Sequence, residues 1–394
     1  MQDVLDEVLA DWRTGHTVGL ATVVRTQKSA PRPAGASMAR RPDGAAVGSV
    51  SGGCVEGAVY ELSADVLESG TPVLQRYGVS DDDAFAVGLT CGGILDVFVE
   101  PVSQESFPGL AEVAADIEDG RPVAVATIIR SADRALLGRH LVVRPDGAGA
   151  GLDGSLGSAR LDGVVTGDAR GLLASGMTTT LEYGPEGERR GEGLEVFVAS
   201  YAPAPRMLVF GAIDFAAATA AQGKLLGYHV TVCDARPIFT TRARFPEVDE
   251  LVVQWPSRYL ADQIDSGLVD ERAVVCVLTH DPKFDVPILM EAFRLPESCF
   301  IGAMGSRRTH RDRLGRLREA GAREEDLARL RSPIGLDLGA RTPEETAVSI
   351  AAEVIKTRWG GGGAALVSTE GPIHEAGNEP ERGVPFPLLS KATP

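Results

Sequence analysis

The sequence predicts an α/β protein: an N-terminal α/β domain built from two related halves, then a doubly wound parallel sheet. Three observations predict this. Strand and helix patterns alternate after Arg206, as they do in parallel sheets covered by helices on both faces. Short motifs from the start of the chain return in the same order further on. Ala202-Pro203-Ala204-Pro205 forms a proline-rich linker between the two regions. The expected domains are residues 1–200, with halves near 1–103 and 104–200, and residues 206–358. Residues 359–394, rich in Gly, Pro and Glu, are expected to form a flexible tail.

Taken in order, Val4, Leu5, Val8, Leu9 and Trp12 have helical spacing, and Val18–Val24 reads as a strand. A loop punctuated by Pro31, Pro33 and Gly35 follows, then the turn Arg41-Pro42-Asp43-Gly44 between two strands. Ser51-Gly52-Gly53-Cys54 leads into a helix from Val55, and Thr90-Cys91-Gly92-Gly93 precedes the strand from Ile94.

The second half echoes the first. Ala21–Arg25 is matched by Ala126–Arg130, Arg41–Gly44 by Arg144–Gly147, Gly48–Val50 by Gly154–Leu156, and Leu95–Val99 by Leu194–Val198. Where the first copy has Cys54 and Cys91, the second has Arg160 and Arg190. If both halves share one fold, neither cysteine is needed to form it, which favours a chemical role over that of an inert thiol.

Beyond the linker, strands are expected at Met207–Phe210, His229–Cys233, Glu250–Val253, Ala273–Leu278 and Cys299–Ile301, with helices at Phe215–Leu226 and Pro287–Phe293. That alternation is Rossmann-like. Gly211 follows the first strand and Asp234 ends the second, where a ribose-binding acid belongs. However, Ile213 would fill the space of a pyrophosphate, and Asp214 puts negative charge at the helix N-terminus, where it is better read as a cap. The fold is therefore expected without ordinary NAD(P) binding.

Bulk properties exclude several classes. Net charge is −16, which repels phosphate backbones and anionic lipids, so neither nucleic acid nor membrane is an expected partner. No apolar run is long enough to span a bilayer, and the acidic start Met1-Gln2-Asp3 lacks the features of a signal peptide, so the protein is expected in the cytoplasm. Five cysteines with no Cys-x-x-Cys pair argue against a disulfide framework and a structural zinc site. Cys233, Cys276 and Cys299 lie in apolar strand patterns and read as core.

The candidate chemistry is confined to a few loops. A thiol at Cys54 stands at a helix N-terminus, where the dipole favours thiolate, although Glu56 opposes it. Soft sulfur ligands suit molybdenum–sulfur chemistry, and Arg32 can pair with a phosphate or carboxylate. Gly302, Gly305, Ser306, Arg307 and Arg308 form a glycine-punctuated helix start able to take an anion, or else a solvated basic face. His280 follows a strand end and serves either as a proton carrier or ligand, or as a hydrogen-bonded loop residue. Thr342-Pro343-Glu344-Glu345 is a capping box.

Five motifs together resemble the XdhC/CoxI family of xanthine dehydrogenase accessory factors: Ser29–Gly35, Gly48–Glu56, Gly88–Gly93, Phe300–Arg308 and Pro333–Asp337. The resemblance runs from about residue 18 to about residue 357. It implies a cytoplasmic, commonly dimeric protein that binds molybdenum cofactor (molybdopterin) transiently. Such a protein supports the cofactor's sulfuration by a cysteine desulfurase and its insertion into a molybdenum hydroxylase client. By motif position, Cys54 and Cys91 would lie near the cofactor and supply metal ligands. Arg32, Gly52, Gly53, Gly92, Asp234, His280, Gly302, Gly305, Ser306, Arg307 and Arg308 would complete the binding set. The family's glycine-rich loop with histidine is replaced here by Gly211-Ala212-Ile213-Asp214. A cofactor carrier rather than a catalyst is expected. An NAD(P)-dependent oxidoreductase and a non-catalytic scaffold are the competing readings.

Overall fold

The computed structural model describes residues 1–27, 30–78, 93–145, 153–189, 191–279 and 281–370. They fall into two compact units, Met1–Pro203 and Ala204–Glu370.

The first unit is a duplication. Its first half runs α1 (Leu5–Arg13), β1 (Val18–Gln27), β2 (Ser37–Arg40), β3 (Ala46–Gly48), α2 (Glu56–Ser69), β4 (Val73–Gly78) and β5 (Ile94–Val102). Its second half runs α3 (Leu110–Glu118), β6 (Val123–Arg130), β7 (His140–Val143), β8 (Asp153–Gly154), α4 (Ala159–Ser175), β9 (Thr179–Tyr183) and β10 (Leu194–Tyr201). The sheet orders β3-β2-β1-β5-β4 and β8-β7-β6-β10-β9 are the same path traced twice.

The match extends to individual residues. Thr22 lies opposite Ser37 as Thr127 lies opposite His140. Each pair is hydrogen-bonded through its side chains, at 3.2 and 3.1 Å. Arg41 grips Asp11 of α1 at 2.7 Å, and Arg144 grips Asp116 of α3 at 2.7 Å. Both central pairings carry a register shift, after Val23 in β1 and before Val196 in β10. Gly48 and Gly154 both have positive φ, +78° and +95°, and an added Cβ would run into the carbonyl oxygens of Ser37 and His140. Only glycine meets both demands.

Alternation along the strands directs one face of each sheet to its own helix. Val23, Val97 and Val99 pack under α2 through Val59 and Val66, while Ala126, Ile128 and Val196 pack under α4 through Val165 and Leu173. Val24 and Phe98 of one sheet meet Ile129, Phe197 and Ala199 of the other. The Thr180 hydroxyl donates to Val24 O at 2.8 Å, and Arg25 reaches Glu195 at 3.4 Å, so the halves share a mixed apolar and polar seam.

The second unit is built on β11 (Arg206–Phe210), α5 (Asp214–Leu225), β12 (His229–Asp234), β13 (Glu250–Val253), α6 (Pro256–Asp265), β14 (Val274–Val277), α7 (Pro282–Ala292), β15 (Phe300–Ala303), α8 (Arg307–Glu319), α9 (Glu324–Arg329), β16 (Leu330–Arg331) and α10 (Pro343–Trp359). All strand pairs are parallel, in the order β13-β12-β11-β14-β15-β16. This is the doubly wound order with its switch point between β11 and β14. Leu208, Phe210, Val275 and Val277 face α6 to α9, and Met207, Val209, Val230 and Val232 face α5 and α10. Burial on both faces explains the unbroken apolar strands.

Two sequence expectations shift. The helix expected from Pro287 starts at Pro282, because the Asp281 side chain caps it by accepting from Lys283 N at 3.1 Å, and Pro287 sits inside it. Asp214 makes no cap bond; its carboxylate goes to Arg244 at 2.8 Å. The capping box forms as expected: the Thr342 hydroxyl accepts from Glu345 N, and Glu345 accepts from Thr342 N.

The duplicated glycines give a paired test. Gly48→Ala and Gly154→Ala should each destabilise the first unit by at least about 1–2 kcal/mol, the usual penalty for a Cβ in left-handed backbone. Urea unfolding of both variants checks it, and a neutral effect at either position would contradict the shared constraint.

Candidate functional site

The loop between β3 and α2 is organised around one carboxylate. Glu56, in the first turn of α2, accepts from Ser49 Oγ at 2.7 Å, Ser51 N at 2.8 Å, Ser51 Oγ at 2.5 Å and Gly53 N at 2.8 Å. Burial alone would raise its pKa, but the hydrogen bonds from Ser51 and Ser49 prevail and hold it down at about 2. Ser51 Oγ in turn accepts from Cys54 N and Val55 N, and Gly52 N donates to Ser49 Oγ at 2.9 Å. The N–H groups of Gly52 and Gly53 therefore point inward and are already satisfied. Both glycines are exposed with positive φ, and an added Cβ on either would meet nothing within 4 Å. Cys54 is half-buried beside this open surface. Glu56 thus acts on the loop's donors, a role that sequence reasoning, which set it against the thiolate, did not foresee.

The second half repeats the clasp with different chemistry at its tip. Asp162 accepts from Ser155 Oγ and Leu156 N, each at 2.7 Å, and Arg160 occupies the place of Cys54. Arg32 is half-buried and pairs loosely with Asp3 at 3.4 Å. Ser29, Gly88–Gly92 with Cys91 and Gly92, Asp146, Gly147, Arg190 and His280 lie outside the described residues. Among the described residues, no group of three or more His, Cys, Asp or Glu is placed to hold a metal ion.

In the second unit Asp234 ends β12, and Gly302 to Arg308 run from β15 into α8. Asp234 is buried and fully engaged: it accepts from Ala212 N at 2.7 Å, Arg236 N at 2.9 Å and two guanidinium nitrogens of Arg236 at 2.9 and 2.7 Å. Burial raises its pKa, yet these donors leave it below the usual carboxylate range. Nothing remains for a ribose hydroxyl unless Arg236 is displaced. Gly302 lies within β15, where a Cβ would strike Ile334, so its role is close packing. Gly305 has φ of +150°, and a Cβ there would press on Thr309 at 3.1 Å. Ser306 caps α8 by accepting from Thr309 N at 3.1 Å. Arg307 and Arg308 are exposed and make no ion pair with a described residue.

Beneath this edge lies a group that sequence reasoning missed. Arg313 of α8 is 2% exposed and donates to Asp285 at 2.8 Å, Met304 O at 2.7 Å and Ser332 Oγ at 2.9 Å. Asp285 also accepts from the Thr279 hydroxyl. One guanidinium therefore ties the chain following β14, β15 and β16. The available signal was periodicity: Arg313 shares a helix face with buried Leu317, four residues on.

Known proteins share this architecture. Residues 207–354 match the XdhC Rossmann domain, and residues 11–78 and 116–184 match the XdhC and CoxI family, one stretch in each half. The chain belongs to the XdhC and CoxI family. Among relatives, it is 29% identical to a probable xanthine dehydrogenase subunit from Bacillus subtilis, over 90% of this chain and 96% of that one. It is 26% identical to the molybdenum cofactor insertion chaperone PaoD of Escherichia coli, over 88% of this chain and 85% of that one. A crystal structure of a xanthine dehydrogenase from Bacillus halodurans has the same fold, with a TM-score of 0.61 at 24% identity over 89% of this chain and 94% of that one. In this XdhC and CoxI family chain the loop after the first strand of the Rossmann domain carries Ile213 and Asp214.

Two measurements test these assignments. Arg313→Met leaves Asp285 buried without its partner and should destabilise the second unit by about 3–5 kcal/mol, with much of that recovered by adding Asp285→Leu. Urea unfolding of single and double variants reads this, and an equal loss in both would refute the pairing. Glu56→Gln should destabilise the first unit by about 1–3 kcal/mol at neutral pH. Because the Glu56 pKa is depressed from 4.5 to about 2, its contribution is present above about pH 4.5 and fades as pH falls towards 2. The gap between wild type and variant should therefore narrow over that interval in thermal melts. A constant gap would count against the charged clasp.

Proposed function

We propose that this chain is an accessory protein that binds molybdenum cofactor, supports its sulfuration and assists its insertion into a xanthine dehydrogenase-type molybdenum hydroxylase. The observation that carries this reading is the Cys54 loop. Two halves of one fold hold equivalent loops by equivalent serine–carboxylate clasps, and only one of them presents a thiol at its tip. The fold does not require that thiol, since Arg160 takes its place in the other half. The relative named as a molybdenum cofactor insertion chaperone supports the same reading.

The residues fit a sulfur-rich metal cofactor in their donor chemistry. Cys54 offers a soft ligand beside a surface kept open by Gly52 and Gly53. The cofactor would supply the molybdenum–sulfur chemistry. The chain would hold it through Cys54 and Cys91, with Arg32 as a cation for its phosphate. Arg307 and Arg308 are further exposed cations for anionic groups. The proposed partners are the hydroxylase client, a cysteine desulfurase and a second copy of the chain, in the cytoplasm. No helix of the described residues is long and apolar enough to cross a membrane. An NAD(P)-dependent oxidoreductase draws little support from this geometry, because Asp234 is committed to Ala212 and Arg236.

Molybdopterin content of protein purified from a cofactor-competent host tests the proposal, read after oxidation to the fluorescent derivative. Wild type should carry pterin approaching one equivalent per chain, and Cys54→Ser and Cys91→Ser should carry less. Pterin-free wild type, or cysteine variants as full as wild type, would overturn it.

A further inference from the structure

The helix α10 is apolar on two sides. On one, Ile350 and Val354 are buried in the core with Ala216 and Ala220 of α5. On a second side, Val348, Ala352, Ile355 and Trp359 recur at steps of four, three and four, which sets them in one line along the helix. Val348, Ile355 and Trp359 are 47%, 43% and 55% exposed. A surface helix ordinarily has one apolar stripe and a polar remainder. Single exposed apolar residues are normal, but an aligned set on a helix already buried elsewhere calls for a cover. The line extends over less than two heptads, short of the three or four that sustain pairing with a second helix.

The chain itself is led back beside this stripe. After α10 comes Gly360, with φ of +71°. Gly361 N then donates to Lys356 O at 3.1 Å. Gly363 lies so near Lys356 and Leu336 that an added Cβ would touch both side chains, at 3.4 and 3.6 Å. Lys356 is four residues on from Ala352 and so stands next to the line. The described chain ends at Glu370, and fourteen residues later the sequence reads Val384-Pro385-Phe386-Pro387-Leu388-Leu389. This is the longest apolar run after α10. Pro385 and Pro387 are incompatible with a helix interior and favour the polyproline II form, which docks on exposed aromatic rings such as that of Trp359.

Charge and reach agree with this occupant. The ten residues before Val384 contain Glu375, Glu379 and Glu381 against one cation, Arg382. The last turn of α10 offers Lys356 and Arg358, neither in an ion pair with a described acid. From Val348 to Trp359 the stripe is about 16 Å long. A chain of fourteen residues has a root-mean-square reach of about 20 Å. Tethering at that length gives an effective concentration in the millimolar range, so a contact too weak to join separate molecules forms within one.

We propose that residues 384–389 of the same chain cover the stripe of Val348, Ile355 and Trp359 as an extended strap across α10. The proposal is independent of the cofactor reading, since it uses no residue of that site.

The test labels the full chain with 5-fluorotryptophan and follows its three tryptophans by fluorine NMR, with the Trp359 signal assigned through Trp359→Phe. Stopping the chain after Glu370 should move the Trp359 signal and leave those of Trp12 and Trp255 in place. The full-length double variant Phe386→Ser with Leu388→Ser should move it in the same direction, so the reading does not depend on truncation. A synthetic peptide of residues 381–391, added to the stopped chain, should return the signal saturably, with a Kd in the millimolar range or tighter. Ile355→Asp in the stopped chain should weaken that binding about tenfold. A Trp359 signal that is the same in the full, stopped and doubly substituted chains would overturn the strap, as would a peptide without effect. A signal that follows protein concentration and ignores residues 384–389 would also overturn it, by making a second copy the occupant.

Discussion

Backbone donors turned into a loop have to be satisfied, and in this protein internal carboxylates satisfy them at the loops that carry its motifs. Glu56 collects the donors of the Ser49–Gly53 loop. Asp162 does the same for Ser155 and Leu156. Asp234 takes Ala212 N, and Glu353 of α10 takes Gly335 N at 2.6 Å. Glycine-rich loops at helix starts are read as anion cradles because their N–H groups are free to converge on a ligand. Here a side chain already fills that role at each of these loops. Their shape is fixed from within, and any ligand has to be met by outward-facing side chains.

Duplication makes this constraint visible. The two halves of the first unit agree on strand order, on the Thr–Ser and Thr–His pairs, on the Arg–Asp grip of the leading helix and on the serine–carboxylate clasp. They disagree at the tip of the clasped loop, where one carries Cys54 and the other Arg160. Agreement marks what the fold needs. Disagreement marks where a residue is free to serve something else. The buried thiols behave differently: Cys233, Cys276 and Cys299 are packed in the second unit, and burial pushes each up to about 12, which holds them as protonated core side chains at neutral pH.

The second unit keeps the layout of a nucleotide-binding sheet while rewiring its edge. Arg313 holds three successive strand ends from below, a task that exposed loops rarely manage for themselves. Asp214 pairs with Arg244 and Asp234 is engaged by Ala212 and Arg236, so the carboxylates at this edge find their partners within the chain. Glycines that look like ligand positions, Gly302 under Ile334 and Gly335 against Ser349, are where helix, loop and sheet approach too closely for a side chain.

The sequence by itself determined the architecture. Hydropathy periods placed most of the strands and several helices but not α6, α9 or β16, the echoed motifs disclosed the duplication, Thr342 to Glu345 announced a capped helix, and apolar surroundings marked three cysteines as core. These signals are local, since helix and strand periods and caps act over a few residues. Only the tertiary structure decided where polar groups find their partners. Asp234 meets Ala212 across 22 residues, Arg313 meets Asp285 across 28, and Glu353 meets Gly335 across 18. An aspartate at a strand end looks the same in sequence whether it awaits a ribose or has been claimed by an arginine. The choice is made by which donors the folded chain brings within about 3 Å, and no local pattern encodes that distance.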